Sequence, residues 1–134
     1  MSLRVGDRVP NFQLPSKDGL KRIFYFEVKG GPIIILIARG GTAVINHCFA
    51  ELASCKELID GHGGQVFGIT DDCSKVKENV SPAIIFEDAE GRLSDLLMAV
   101  PNGNSSKLKI LILDPNQRVL AQFLINEPRR DINA

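Results

Sequence analysis

Residues 33–38 read Ile-Ile-Ile-Leu-Ile-Ala, and this stretch decides the fold class. Every position is apolar and most are β-branched, which is typical of a strand covered on both faces, as in a parallel sheet. Residues 39–41, Arg-Gly-Gly, end the run, and from residue 44 to residue 60 the apolar period becomes that of a helix. The helical stripe consists of Val44, Cys48, Leu52, Cys55 and Ile59. The stretch therefore predicts a buried strand that leads into a helix.

A second strand is predicted after the helix, at residues 65–70. Strand, helix and strand in this order form a βαβ unit with a right-handed crossover. Residues 24–27 fit either a short strand or a single helical turn, and the sequence does not decide between them. The remaining predicted elements are a weak helix at 74–79, a strand at 82–86, a short helix at 92–100, and strands at 109–113 and 118–123 joined by a hairpin turn at 114–117. This order predicts an α/β domain with a mixed sheet.

The size and charge of the chain limit its function. Its 134 residues fit one domain, residues 1–134. Lys+Arg and Asp+Glu each number 16, so the formal charge is zero and we expect no nucleic acid and no membrane as partner. The longest apolar run, residues 32–38, is too short to span a bilayer, and no signal peptide is recognisable. The uncapped end at residues 129–134 is what excision from a longer protein would leave, so we expect a fused C-terminal domain.

The three cysteines stand at irregular spacing, which is not the framework of a secreted disulfide protein. Reduced thiols fit a cytoplasmic protein better. The sequence has no Cys-x-x-Cys pair, which excludes a thioredoxin-type dithiol. His47 and His62 have no accompanying cysteine or carboxylate pattern, and Gly40-Gly41 is not a phosphate loop. We therefore expect no metal and no cofactor.

Six segments, in the correct order, resemble the peroxiredoxin family, the group of alkyl hydroperoxide reductases and thiol-specific antioxidants. They are residues 5–15 with 18–19, residues 33–38, residues 48–52, residues 66–72, residues 81–88 with Gly91, and residues 110–115. The resemblance implies a thioredoxin-like α/β fold, in which helices flank both faces of a central mixed β-sheet. The predicted order of elements has the same plan.

In this resemblance, Cys48 stands in the place of the peroxide-reacting cysteine, and Glu51 and Leu52 match the residues that follow it in the family. The chemistry needs a thiolate, which attacks one peroxide oxygen and becomes a sulfenic acid. Glu51 is predicted to share a helical face with Cys48, where it would orient a backbone group or a cation near the thiol. The alternative is that Glu51 is only a surface residue that favours the helix.

Three positions depart from the family pattern. The family has a proline seven residues before the cysteine and a threonine or serine three before it, whereas this chain has Gly41 and Ile45. The family has an arginine six residues before the aspartate that closes the penultimate strand, whereas this chain has Leu108. Thr42, six residues before Cys48, is the candidate catalytic hydroxyl.

Arg39 is the candidate replacement for the missing cation. It ends the first strand at the carboxyl edge of the sheet, where ligand sites gather, and a guanidinium there would polarise a peroxide or stabilise a thiolate. A solvated charge at a strand end is the alternative. Lys107 and Lys109 are weaker candidates, and we expect one of them to point into water.

The other two cysteines have different expected roles. Cys73 follows the second strand at the same edge of the sheet, so it is a candidate resolving thiol, with an exposed loop cysteine as the alternative. Cys55 lies seven residues after Cys48, about 10.5 Å along a helix, which is too far for a disulfide between them. We interpret Cys55 as a core residue.

The position of Cys48 within its helix depends on which residue is the N-cap, and the sequence offers two candidates. With Asn46 as the N-cap, Cys48 is the second helical residue, and the helix dipole stabilises its thiolate. With Thr42 as the N-cap, Cys48 lies in the second turn, where that stabilisation fades. A buried, unreactive structural cysteine is a further alternative.

These observations leave three functions open. The first is a thiol-dependent peroxidase that uses Cys48, takes a peroxide as substrate and is recycled by a thiol reductant such as a thioredoxin-like protein. The second is a catalytically degenerate thioredoxin-fold module, which serves interaction or regulation of a fused or partner enzyme. The third is a redox sensor, in which Cys48 oxidises slowly and Cys73 responds. The resemblance also implies a homodimer.

Overall fold

The computed structural model describes residues 3–39, 42–76, 84–98 and 108–125 of the chain. The strands are β1 Gln13–Pro15, β2 Lys21–Ile23, β3 Ile33–Ala38, β4 Gln65–Thr70, β5 Ile84–Glu87, β6 Leu108–Leu113 and β7 Val119–Ile125. Five of them form the central sheet in the order β5-β4-β3-β6-β7. The strands β3, β4 and β5 are parallel, β6 is antiparallel to β3, and β7 is antiparallel to β6. The predicted mixed sheet is confirmed.

The helices lie between these strands in the chain. They are α1 Phe24–Glu27, α2 Thr42–Ser54, α3 Lys56–Gly61, a 3-10 helix at Cys73–Lys75, and α4 Arg92–Met98. Of the two alternatives for residues 24–27, the structure has the single helical turn. The one continuous helix predicted at residues 44–60 is wrong, because the chain leaves helical geometry at Cys55 (φ −97°, ψ 6°) and begins again as α3. Within the described ranges, no helix combines the length and the apolar character needed to cross a membrane.

The predicted strands and the helix predicted at residues 92–100 are found close to their predicted positions. The weak helix predicted at residues 74–79 is wrong, because only a 3-10 turn forms at Cys73–Lys75 and Val76 is extended (φ −97°, ψ 123°). The strands at 33–38 and 65–70 have the predicted bounds. In the predicted hairpin turn, the carboxylate of Asp114 accepts the N–H of Asn116 at 2.8 Å and that of Arg118 at 3.0 Å. Parts of three predicted elements, at residues 77–79, 82–83 and 99–100, lie outside the described residues.

Two separate apolar cores lie on the two faces of the sheet, because β3 sends alternate side chains to opposite sides. The odd-numbered residues of β3 are buried in the core that includes Leu97 of α4. Leu36 and Ala38 are buried in the other core, together with Ile45 and Phe49 of α2. We call these sides the α4 face and the α2 face.

The N-terminal residues close the outer edge of β5 and part of the edge of β7. The strands β1 and β2 form an antiparallel hairpin, which meets β5 through a bridge between Ser16 and Phe86. The N–H of Lys17 donates to the carbonyl of Ile85 at 2.9 Å. At the other side of the sheet, the N–H of Gly6 donates to the carbonyl of Val119 at 2.8 Å. Within this sheet, β3 and β4 lie between β5 and β6, so their carboxyl ends, where the candidate residues lie, are in the interior of the sheet and not at an edge.

Candidate functional site

Cys48 is the seventh residue of α2, which begins at Thr42. Asn46 lies inside the helix, so it is not the N-cap. The unpaired N–H groups and the dipole of a helix act mainly within its first turn. The Cys48 thiol therefore receives little of the stabilisation that a cysteine in the first turn would receive.

The surroundings of Cys48 are apolar. Its side chain is partly buried and packs against the core of the α2 face. Ile45 and Leu108 are fully buried in that core, at the two positions where the resemblance has a hydroxyl and a guanidinium. Burial raises the pKa of the Cys48 thiol above its usual value, and the nearby carboxylate of Glu51 raises it further. The site as a whole disfavours the thiolate.

Phe49, the residue after Cys48, lies with its ring over Gly68 of β4, where an added Cβ would be only 2.5 Å from the ring and 3.2 Å from the side chain of Ile85. Successive helical residues point about 100° apart, so Cys48 lies on a different flank of α2 from Phe49. Cys48 and Ile110 of β6 both pack against the core of the α2 face. The sequence signal for this arrangement, which we did not use, is the glycine within the apolar strand β4.

Glu51 is the candidate residue that lies nearest to Cys48 along the helix. It follows Cys48 by three residues and is 71% exposed, with Oε1 at 4.0 Å from Nε2 of His47. Thr42, the first residue of α2, lies about 1.7 turns before Cys48. The described residues contain no group of three His, Cys, Asp or Glu side chains that could hold a metal ion. The helix therefore brings Glu51 and Cys48 onto one flank and leaves Thr42 in another turn.

Arg39 points toward the α4 face. It is in phase with the odd-numbered residues of β3, and its Nη1 lies 2.9 Å from Oδ1 of Asp95 in α4. At Gly91, where φ is 75°, an added Cβ would lie 3.2 Å from the same Nη1, so the glycine leaves room for the guanidinium. Arg39 and Cys48 therefore lie on opposite sides of the sheet, and Arg39 has a carboxylate partner that the sequence did not suggest.

Lys109 is buried on the α4 face, so it is not the lysine that points into water. It is 2% exposed, and its Nζ donates to the carbonyl of Leu97 at 2.5 Å. Burial lowers the pKa of Lys109 below its ordinary value. Lys107 lies outside the described residues. Residues two apart on a strand point to the same face, so the two-residue period gives no reason to expect one of these lysines in water and the other inside.

Cys73 is buried on the α2 face, so its interpretation as an exposed loop cysteine is wrong. Its Sγ lies 3.8 Å from the carbonyl of Ile85, and its N–H donates to Oε1 of Glu87 at 2.9 Å. Burial, together with the charge of Glu87, raises the pKa of Cys73 to about 11. Cys73 is thus a buried member of the core next to β5, and Cys48 packs against the same core from α2.

Cys55 is exposed at the junction of α2 and α3, so its interpretation as a core residue is wrong. The predicted stripe was correct in part, because Cys48 and Leu52 pack against the core, but the fully buried positions among the described α2 side chains are Ile45 and Phe49, which the stripe did not include. All three cysteines are free thiols in the structure. They differ in access: Cys55 is exposed, Cys48 is partly buried and Cys73 is buried.

Comparison with known proteins identifies the fold through structure only. No model of a protein family matches the chain, and no curated protein sequence matches it. Among solved structures, AhpC of Mycobacterium tuberculosis is 16% identical, with a TM-score of 0.73 over 99% of this chain and 94% of that chain. AhpC of Enterococcus faecalis is 10% identical, with a TM-score of 0.75 over 99% and 89%. The yeast mitochondrial 1-Cys peroxiredoxin is 15% identical, with a TM-score of 0.73 over 97% and 73%. The chain therefore has the thioredoxin-like fold that these peroxiredoxins share.

Proposed function

We propose that this chain is a catalytically degenerate thioredoxin-fold module, which serves interaction with or regulation of a partner or fused enzyme. One observation carries the proposal. Ile45 and Leu108, which are fully buried in the core against which Cys48 packs, are apolar at positions where peroxide chemistry would need a hydroxyl and a cation. Burial and the carboxylate of Glu51 raise the pKa of Cys48, and a thiol with a raised pKa is a slow nucleophile at neutral pH.

A second candidate, a thiol-dependent peroxidase, is favoured by the partial exposure of Cys48, which leaves the sulfur within reach of a small peroxide. In that function Cys48 is the nucleophile, and Thr42, Arg39 and Glu51 assist it. Cys73 is the resolving thiol, and a thiol reductant such as a thioredoxin-like protein regenerates the enzyme. The Arg39–Asp95 pair and the burial of Cys73 weigh against these roles.

The rate at which hydrogen peroxide oxidises the reduced protein separates the two candidates, with Cys48→Ser as the control. We expect a rate no greater than that of a free thiol, because the thiolate is scarce at neutral pH. Fast, Cys48-dependent formation of a sulfenic acid would overturn the proposal and establish the peroxidase. A disulfide between Cys48 and Cys73 after peroxide treatment, absent in Cys73→Ser, would add the resolving role.

A further inference from the structure

Two arginines lie side by side where the N-terminal segment meets the turn that precedes β7. Arg8 and Arg118 form an antiparallel bridge. The hydrogen bonds of this short ladder are made by the residues before and after each arginine, at 2.8 and 2.9 Å, so the arginines are a non-hydrogen-bonded pair. In such a pair the Cα atoms are about 4.5 Å apart and the two side chains leave the strands on the same face. The bridge therefore places two positive charges next to each other.

The nearby carboxylates accept backbone N–H groups. Oδ2 of Asp7 accepts the N–H of Arg4 at 2.9 Å, and Oδ1 of Asp114 accepts the N–H of Arg118 at 3.0 Å. Within the described part of the chain, neither Arg8 nor Arg118 forms a salt bridge. Like charges directly opposite each other destabilise a strand pair. An anion that binds both guanidiniums would remove this cost.

Both guanidiniums are held in place by neutral groups. Nη2 of Arg8 donates to Oε1 of Gln117 at 2.9 Å, and its Nε donates to a carbonyl of the turn at 3.1 Å. The guanidinium carbon of Arg8 lies 4.5 Å from the centre of the Tyr25 ring. Nη1 of Arg118 donates to the carbonyl of Gly6 at 3.1 Å. These contacts orient the two guanidiniums without cancelling their charge, and each guanidinium has further N–H groups for a ligand.

The residue that holds Arg8 has an unfavourable backbone conformation. Gln117 is buried, and it is the one non-glycine residue with a positive φ (65°) in the described ranges. A glycine would adopt this conformation without strain, whereas other residues seldom do. The side chain that a glycine would lack is the one that accepts the hydrogen bond from Arg8. The turn thus carries strain at the residue that positions a surface guanidinium.

The charge and shape of the site indicate its ligand. A phosphorylated side chain carries a charge of about −1.5 to −2 at neutral pH and three acceptor oxygens, which match two guanidiniums. Small metabolites bind in concave pockets that bury most of their surface, but both arginines are exposed on a strand pair. Beside them lie Val5 and Leu120, which adjoin the hydrogen-bonded residues Gly6 and Val119 and are 62% and 55% exposed. Apolar side chains next to a phosphate site suit a peptide chain.

We propose that Arg8 and Arg118 bind a phosphorylated serine or threonine side chain of a partner protein, and that Val5 and Leu120 contact apolar residues next to the phosphate. This inference rests on the proposed function, because it specifies the kind of partner that the interaction module binds. β6 is antiparallel to β3, so the site lies beyond the amino end of β3, whereas α2 with Cys48 follows its carboxyl end. Binding there does not require Cys48 to be unreactive.

The test uses two short synthetic peptides that differ only in a central phosphoserine or serine, flanked by leucine. Fluorescence anisotropy measures their binding to the whole chain at constant ionic strength. We expect saturable binding of the phosphorylated peptide alone, about tenfold weaker in Arg8→Gln and in Arg118→Gln. Arg92→Gln is the matched control, because Arg92 is an exposed arginine on α4 and its loss changes the net charge equally. This variant should bind as the wild type does.

Gln117→Gly separates positioning from folding. Because glycine adopts φ 65° without strain, we expect the urea midpoint to stay close to that of the wild type. The affinity for the phosphorylated peptide should fall by about threefold, because the guanidinium of Arg8 is no longer held in the binding geometry. An affinity equal to that of the wild type would overturn the positioning role of Gln117.

Three results would overturn the inference as a whole. The first is equal binding of the two peptides, and the second is an equal loss of binding in Arg8→Gln and Arg92→Gln. The third is tighter binding to phosphoinositide-containing vesicles or to a single-stranded oligonucleotide than to the phosphorylated peptide, lost in the Arg8 variant. The peroxide rate of the same preparations separates the failures, since a fast Cys48 refutes the proposed function and leaves the peptide result standing.

Discussion

The two faces of the sheet differ in where they place charge. On the α4 face, Arg39 pairs with Asp95, and the ammonium of Lys109 binds the carbonyl of Leu97. On the α2 face, the Cys48 thiol lies against an apolar core. Arg39 and Lys109, two of the cations that the sequence offered for catalysis, are thus found on the side of the sheet without the thiol.

The difference teaches that closeness along a strand says little about closeness to a site. Ala38 and Arg39 are neighbours in sequence, as are Leu108 and Lys109, but in each pair only the apolar residue lies on the face of Cys48. The alternation of side chains separates charge from thiol twice, on the two adjacent strands β3 and β6. Each prediction below changes one face and leaves the other as a control.

The contact between α2 and the sheet should be the most sensitive to change. Gly68→Ala places a Cβ 2.5 Å from the ring of Phe49, so the ring and the helix must move. We expect the free energy of unfolding to fall by about 1–3 kcal/mol, measured by urea denaturation. Gly61→Ala is the matched control, because an added Cβ there meets nothing within 4 Å. Equal stability of both variants would mean that α2 is not pressed against β4.

Exchanging Leu108 and Lys109 moves one ammonium from the α4 face to the α2 face without changing composition. In the double variant Leu108→Lys, Lys109→Leu, we expect the pKa of Cys48 to fall by about 1 unit, because the ammonium favours the thiolate. The pH dependence of alkylation measures it, with Lys109→Leu alone as the control. If the double variant does not fold, Ile110→Lys adds a cation on the same face at a partly exposed position. A Cys48 pKa that stays unchanged in both would contradict the assignment of faces.

Lys109 should make stability depend on alkaline pH. Burial lowers its pKa in the folded state, so between that lowered value and the ordinary value of 10.5 the unfolded chain binds more protons. The contribution of Lys109 to the free energy of unfolding should therefore rise with pH through this window. The thiols of Cys48 and Cys73, whose pKa values are raised, act in the opposite direction in both proteins, so the expected result is that the urea midpoints of the wild type rise relative to those of Lys109→Leu as the pH increases. Parallel profiles would indicate that Lys109 is hydrated in the folded state.

Glu51→Gln should have the smallest effect. Removing this carboxylate lowers the pKa of Cys48, because Glu51 is the secondary cause of its rise. Exposure to solvent screens the charge, so we expect the alkylation rate at neutral pH to increase by less than about threefold. Glu57→Gln, an exposed carboxylate in α3, should leave the rate unchanged. An increase of the same size in both variants would point to net charge as the cause.

The sequence was a good guide to the sheet because its central strands carry strong local signals. Residues 33–38 are all apolar, and residues 66–70 are β-branched or aromatic apart from Gly68. The helix after β3 was harder, because the apolar stripe runs on through Cys55. Only the backbone conformation at that residue divides α2 from α3.

The sequence could indicate which residues replace the family's polar groups around Cys48, but not how the candidate residues are arranged. The resemblance pointed to Cys48, Ile45 and Leu108, and the structure brings these three to one core. It could not reveal that Arg39 has a carboxylate partner on α4, or that Lys109 is buried. Those facts depend on which helix covers which face, and that depends on contacts between residues far apart in sequence.

The alternation at the end of β3 also has an evolutionary consequence. A single-residue insertion between Ala38 and Arg39 would shift the guanidinium by one step of the strand and turn it toward the face of Cys48. A substitution at Leu108 has to place a cation inside an apolar core, whereas an insertion moves a cation that the chain already has. A change of chain length can therefore bring charge to the thiol without burying a new charged residue in the core.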